Sequence, residues 1–170
     1  MARDIHIKLA SVGLNEQGTP WNDGGHQKIE KIVIGYTPSF ISSIEVVYSD
    51  GGDDTRVLAP RHGANSSSLI KMMTITEPIT RIHGTYCSYT GITSLELSSR
   101  RGTYCTINND GNANANANAN ASSFTFDSDS GFTGFHGRAD DFQLKALGVY
   151  VNSTAKSRLR PNPERDCSVL

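Results

Sequence analysis

The stretch FHGRADDFQLKALGVYV, residues 135–151, has two counterparts in the chain, and this repeat decides the fold. The counterparts are IVIGYTPSFISSIEVVY at residues 32–48 and IHGTYCSYTGITSLELS at residues 82–98. Each copy has an apolar residue shortly before a glycine, then a polar loop of variable length, then a strand that begins apolar-x-x-apolar. The sequence therefore predicts three copies of one supersecondary unit.

The repeat has the spacing and the alternation of a β-sheet protein. Its matching apolar positions, Ile44, Leu95 and Leu147, are separated by 51 and 52 residues. Within the last copy, Leu147, Val149 and Val151 alternate with other residues, so that they share one face of a strand. Sheets this short become stable only when each buries an apolar face against the others. We therefore predict three antiparallel sheets around a pseudo-threefold axis, with binding loops at the ends of the prism.

The composition agrees with an all-β body. The chain has 170 residues, which suits one compact domain and a tail. Thirteen Ile, eight Val and fourteen Thr stand against ten Leu, so the residue supply favours strands over helices. Sixteen Lys and Arg against seventeen Asp and Glu give a formal net charge of -1, which disfavours nucleic acid as a partner.

Two segments lie outside the repeat pattern. Residues 112–121 are five Asn-Ala dipeptides, which neither favour β structure nor offer a face that packs. We predict that they form a loop insert within a domain of residues 1–152. Residues 153–170 contain two prolines and a small excess of basic residues, which predicts a flexible tail.

The two ends of the sequence bear on localisation. The N-terminal residues carry charges and lack the apolar run of a signal peptide or a spanning helix, so we expect a cytoplasmic protein with reduced cysteines. Cys167 to Leu170 spell a C-a-a-X box, which predicts prenylation of Cys167 and association with the cytosolic face of a membrane. A single prenyl chain anchors reversibly. The alternative is an ordinary disordered tail.

An enzymatic function finds no support in the residues. The five histidines are scattered along the chain, and the sequence contains no HExxH, CxxC or GxSxG motif. No convergent nucleophile, base or metal set is therefore recognisable, and we expect a protein that is not an enzyme.

Several strings, in order, resemble the jacalin-related lectins. They are QGTPWNDGG at 17–25, HG at 62–63, EPITRIHGTY at 77–86, ITSLEL at 92–97, and GFHGRA followed by LKALGVYV within 134–151. The resemblance implies the β-prism I fold, with three four-stranded Greek-key sheets. It also implies metal-independent binding of a mannose/glucose-type or galactose-type glycan without any cofactor, and therefore glycans or glycoproteins as partners.

The resemblance places the sugar where loops meet at one end of the prism. Gly18 stands three residues before Trp21, as does the family glycine whose backbone N–H binds a sugar hydroxyl. The family then has an aspartate ahead of the final strand, a position held here by Lys145 in a loop one residue longer than usual. Asp140 or Asp141 would then have to supply the acceptor, and Phe142 is a candidate to stack on the sugar.

The loop of the second repeat borders the family site, and Tyr89 is its candidate residue because it combines an apolar ring with a hydroxyl. Because Lys145 replaces an acceptor with a donor, two interpretations remain open. One is a lectin; the other is a β-prism interaction module that has lost its sugar site and is tethered by the prenylated tail. An exposed strand would permit a homodimer or a higher oligomer, but the sequence does not fix the number of subunits.

Overall fold

The computed structural model describes residues 5–51, 55–108 and 121–153. Within them it has fourteen strands and no helix, and therefore no helix that could span a membrane. Most of the predicted Asn-Ala insert and of the tail, including Cys167, lies outside these residues. The strands, in chain order, are β1 (His6–Lys8), β2 (Val12–Gly13), β3 (Thr19–Asn22), β4 (Lys28–Tyr36), β5 (Ile41–Ser49), β6 (Arg56–Leu58), β7 (His62–Gly63), β8 (Leu69–Thr74), β9 (Arg81–Cys87), β10 (Gly91–Ser99), β11 (Gly102–Ile107), β12 (Ala121–Asp127), β13 (Phe132–Ala139) and β14 (Leu144–Asn152).

The strands form the three antiparallel sheets that the repeat predicts. Sheet A has the order β1-β14-β13-β3, sheet B has β6-β5-β4-β8, and sheet C has β11-β10-β9-β12. In sheets B and C the fourth strand returns beside the first of the unit, which is the Greek-key order. Each sheet has four strand positions, but in A and B one edge strand is split, so that β2 also pairs with β14 and β7 with β5.

The core lies between the inner faces of the three sheets. Ile32, Ile44, Leu95 and Leu147 all have 2% or less of their surface exposed, and they come from all three sheets. The alternating apolar residues of each repeat therefore meet at the axis, as expected for sheets that cannot bury a face alone. The predicted all-β prism is confirmed.

Each repeat carries a one-residue bulge at an equivalent place. In sheet B, Gly35 pairs with Ser43 and Tyr36 with Ile41, which leaves Ser42 as the extra residue. The same shift leaves Thr93 extra in sheet C and Lys145 extra in sheet A. A bulge bends its strand and turns its side chain away from the regular alternation. The pseudo-threefold symmetry therefore places Lys145 in a special backbone position, close to the end of the prism.

Candidate functional site

The loop that holds Gly18 is fixed against the end of β13. Arg138 donates from Nε to the carbonyl oxygen of Gln17 and from its terminal nitrogen to that of Gly18, both at 2.8 Å. Gly18 has φ +70°, and a Cβ there would lie 2.7 Å from the carbonyl oxygen of Ala139. Only glycine fits this conformation and this close approach without strain. The exposed backbone of Gly18 is therefore presented in one fixed position.

Asp140 closes the turn that follows β13. Its Oδ1 accepts the backbone N–H groups of Phe142 and Gln143, both at 2.9 Å, and its own N–H donates to the carbonyl oxygen of Gln143 at 3.1 Å. These bonds commit the Asp140 carboxylate to its own turn. Asp141 and Phe142 remain at the exposed tip of that turn, and 76% of the Phe142 surface is accessible.

The side chain of Lys145 connects two loops. Its side chain is buried, and Nζ donates to the carbonyl oxygen of Thr90 at 3.1 Å and lies 3.4 Å from Oδ2 of Asp140. Partial burial raises the pKa of Asp140, but the Phe142 N–H and the Lys145 charge outweigh it and hold that pKa below its usual range. Lys145 and Asp140 therefore form an ionised pair that bridges the Asp140–Gln143 turn and the loop before β10.

The loop of the second repeat abuts the start of β14. Gly91 has φ +110°, and a Cβ there would lie 2.6 Å from the carbonyl oxygen of Leu144. This packing leaves Tyr89 at the loop tip, with 78% of its surface exposed. Two exposed aromatic rings, Tyr89 and Phe142, therefore stand on the two loops that Lys145 joins.

The structure thus brings the loops of the sequence-predicted residues to one end of the prism. It gives those residues different environments: Gly18, Tyr89, Asp141 and Phe142 are exposed, whereas Asp140 and Lys145 bond to the protein itself. Arg138, which holds the Gly18 loop, was not singled out from the sequence, although it lies within the GFHGRA string. Among the described residues, no group of three or more His, Cys, Asp or Glu could hold a metal ion.

An all-β prism that presents exposed rings and a carboxylate on fixed loops at one end defines a class of binding protein. A family model described as the Jacalin-like lectin domain matches residues 9–150, and the chain belongs to this family. The resemblance of the sequence strings is thereby confirmed. Members of the family bind carbohydrate and are not enzymes, which agrees with the scattered histidines.

Curated relatives carry the same family name. Jacalin-related lectin 33 of Arabidopsis thaliana is 26% identical over 147 residues, which are 85% of this chain and 47% of the relative. Jacalin-related lectin 12 of the same plant is 29% identical over 150 residues, or 84% of this chain and 30% of the relative. The chain therefore spans less than half the length of these two relatives.

Solved lectin structures share the fold. Frutapin from Artocarpus incisa superposes with a TM-score of 0.71 at 21% identity, over 89% of this chain and 99% of its own. Artocarpin in complex with mannotriose gives 0.66 at 20% identity, over 88% and 98%. At this level of identity the likeness supports the β-prism I fold of this chain.

Replacing Gly18 with alanine is expected to lower the free energy of unfolding by about 1–2 kcal/mol, because the new Cβ meets the Ala139 carbonyl. Gly24→Ala is the matched control, since Gly24 has φ +76° but no atom within 4 Å of an added Cβ. Denaturant unfolding of both variants measures the difference. Equal losses would show that the close approach to Ala139 contributes nothing.

Proposed function

We propose that this chain binds carbohydrate at the end of the prism where the Gly18 loop, the Tyr89 loop and the Asp140–Gln143 turn lie. The observation that carries the proposal is the rigid support beneath these loops, from Arg138 on one side and Lys145 on the other. A sugar has to replace well-made bonds to water, so donors and acceptors held in place bind it better than mobile ones. Neither metal nor cofactor enters this mode of binding.

The exposed groups at this end match the chemistry of a sugar. The backbone N–H of Gly18 is a donor, the Asp141 carboxylate can accept two charge-assisted hydrogen bonds, and the rings of Tyr89 and Phe142 can cover apolar C–H faces. Of the two aspartates considered from the sequence, Asp141 is the better ligand because Asp140 is already bonded through both carboxylate oxygens. Lys145 then acts as a support of the site rather than as a ligand.

The sugar class follows from the neighbours by analogy. Artocarpin has been solved with mannotriose and with mannopentose, and a champedak lectin of the same fold is described as mannose-binding. We therefore propose mannose-type glycans first and galactose-type glycans second. Monovalent affinity should be weak, because a shallow site gains only a few hydrogen bonds over water. Useful avidity would require several sites on one oligomer or on one membrane.

A glycan array probed with the wild type and with Asp141→Ala tests the proposal. We expect the wild type to bind a subset of mannose- or galactose-terminated glycans, and Asp141→Ala to bind them about tenfold more weakly through loss of a charged acceptor. Asp129→Ala removes an exposed carboxylate from another loop and serves as the control. A wild type that binds no glycan would contradict the lectin proposal, whereas binding that is insensitive to Asp141→Ala would place the site elsewhere.

The second candidate is an interaction module without a sugar site. It is favoured by Lys145, which occupies the position of the family aspartate and is bonded to Thr90 rather than available to a ligand. In this version the prenylated Cys167 would bring the prism to the cytosolic face of a membrane. Both the lipid and the cytoplasmic location stay predictions, since Cys167 lies outside the described residues. Mass spectrometry of the native C-terminus that shows an unmodified Leu170 would contradict the lipid.

A further inference from the structure

A second cleft lies beside the loop end, on the outer face of sheet A. It has a volume of about 420 Å³, and its lining includes Lys8, Ser11 and Asn15 on one side and Pro20, Asn22 and Arg138 on the other. None of the residues that line it is an aspartate or a glutamate. The cleft therefore presents two cations and several polar groups without any negative charge of its own.

His136 lies in the lining of this cleft, and Gly148 on the neighbouring strand leaves room for its ring. Gly148 faces His136 across the sheet, and a Cβ at Gly148 would lie 2.3 Å from Cε1 of the ring. The missing side chain lets the ring cross β14 and place Nε2 2.6 Å from the carbonyl oxygen of Leu9. Burial and the nearby Lys8 charge lower the pKa of His136, against the hydrogen bond to Leu9. At neutral pH the His136 ring is therefore uncharged and fixed.

The two cations of the cleft lack carboxylate partners within the described chain. Arg56, Arg61 and Arg101 each lie within 3.1 Å of a glutamate oxygen. Arg138 instead bonds two backbone carbonyl oxygens, and Lys8 makes no ion pair with any described residue. A guanidinium and an ammonium that share a cleft and remain uncompensated attract an oxyanion.

We propose that this cleft binds a sulfate or carboxylate substituent of an acidic glycan whose neutral part lies on the Gly18 loop. The inference rests on the proposed function. Arg138 connects the two places, because it lines the cleft and also holds the carbonyl groups of Gln17 and Gly18. Arg138 bonds to Gly18 and pairs with Ala146 of β14, whereas Lys8 pairs with Tyr150, four residues further along that strand. A glycan that extends from Gly18 along the cleft would therefore meet Arg138 before Lys8. Acidic glycans are thus the preferred ligand class of this chain.

Calorimetry with a matched pair of oligosaccharides tests this inference. The first ligand is a neutral oligosaccharide of mannose or galactose that the wild type binds. The second is the same oligosaccharide with one sulfate. We expect the sulfate to tighten binding about fivefold at low salt, with the gain lost at high salt. Lys8→Gln should remove most of this gain and leave the neutral ligand unaffected, because Lys8 pairs with Tyr150, four residues along β14 from the partner of Arg138. Lys71→Gln, which removes an exposed lysine from β8, should keep the gain.

The outcomes separate the two proposals. Neutral binding without any gain from the sulfate, or a gain that Lys71→Gln reduces as much as Lys8→Gln, overturns the acidic-glycan inference and leaves the lectin proposal standing. If no neutral oligosaccharide binds, the sulfated ligands are screened directly: Lys8-dependent binding supports the cleft while the Gly18 site fails. Inorganic sulfate and phosphatidylserine vesicles are the comparison arms. Binding of either as tight as that of the sulfated sugar would overturn the assignment to a glycan.

Discussion

Replacing Asp23 with alanine is expected to lower the free energy of unfolding by about 3–5 kcal/mol, because this carboxylate is the shared acceptor of two side chains. The Asp23 side chain is 2% exposed and sits between sheets A and B. Its Oδ1 accepts a hydrogen bond from Nε2 of His62 at 2.7 Å, and its Oδ2 accepts one from the hydroxyl of Tyr48 at 2.8 Å. Alanine would leave the buried Tyr48 hydroxyl and the largely buried His62 ring without their acceptor.

The groups around Asp23 cannot easily find other partners. Tyr48 is completely buried, and burial together with the Asp23 charge raises the pKa of its hydroxyl, so that it stays a proton donor at any accessible pH. His62 is stacked on Trp21 with the ring centroids 3.9 Å apart, which fixes the imidazole where it is. When the acceptor is removed, a buried donor that cannot turn towards water stays unsatisfied. The folded state then carries the full desolvation penalty of that group.

Denaturant unfolding measures this loss, and Asp50→Ala is its control. Asp50 also pairs with a histidine, His26, at 2.9 Å, but its side chain is 42% exposed, so we expect a loss of only about 0.5–1 kcal/mol. Asp23→Asn keeps one acceptor and should fall between the two alanine variants. A loss at Asp23 no larger than at Asp50 would contradict the view that this carboxylate locks sheets A and B together.

The fold was predictable because the same apolar strand pattern occurs three times in the sequence. Ile44, Leu95 and Leu147 mark the same strand in each copy, and their spacing requires three similar sheets whatever the loops do. The long central strands followed from alternation within the sequence itself. The short edge strand β3 could not be predicted in this way, because Pro20 within TPWN indicates a loop. The structure accommodates Pro20 because the missing N–H of an edge strand would face outward.

The candidate site was predictable only in part, since its polar bonds join residues far apart in sequence. The sequence shows that Lys145 lies at the start of the strand that follows Asp140. It does not show that Lys145 contacts Thr90, which lies in a different repeat. The bulge that turns Lys145 inward is a feature of strand pairing rather than of local pattern. The same holds for Arg138, whose two carbonyl partners lie at the opposite end of the chain.

Replacing Lys145 with methionine is expected to lower the free energy of unfolding by about 2 kcal/mol. Methionine keeps an apolar stem, in a side chain one atom shorter than that of lysine, but removes the donor, which leaves the Thr90 carbonyl and Oδ2 of Asp140 without their cation. Lys71→Met, at an exposed position of β8, should change stability by less than about 0.5 kcal/mol. Glycan binding should also weaken in Lys145→Met, because the Tyr89 loop and the Asp140–Gln143 turn lose their common support.

The pH dependence separates the ion pair from simple packing. Because the pKa of Asp140 is lower in the native state than in the unfolded state, this group contributes stability above about pH 4 that is lost as the pH falls through the native value. In Lys145→Met the attraction that lowers this pKa is gone while partial burial remains, so the acid-dependent loss should become smaller. NMR titration of the Asp140 carboxyl carbon, with unfolding measured between pH 3 and pH 7, follows both effects.

A double-mutant cycle with Asp140→Asn then isolates the pair itself. Asparagine retains an oxygen that can accept the N–H groups of Phe142 and Gln143, so the turn survives while the negative charge is removed. The Asp140 side chain is 38% exposed, and solvent screening should therefore hold the coupling energy to about 1 kcal/mol. Zero coupling, with an unchanged Asp140 titration in Lys145→Met, would mean that Lys145 supports the loops through Thr90 alone. Coupling of the expected size would mean that Lys145 holds the Asp140–Gln143 turn through its charge as well as the loop before β10 through Thr90.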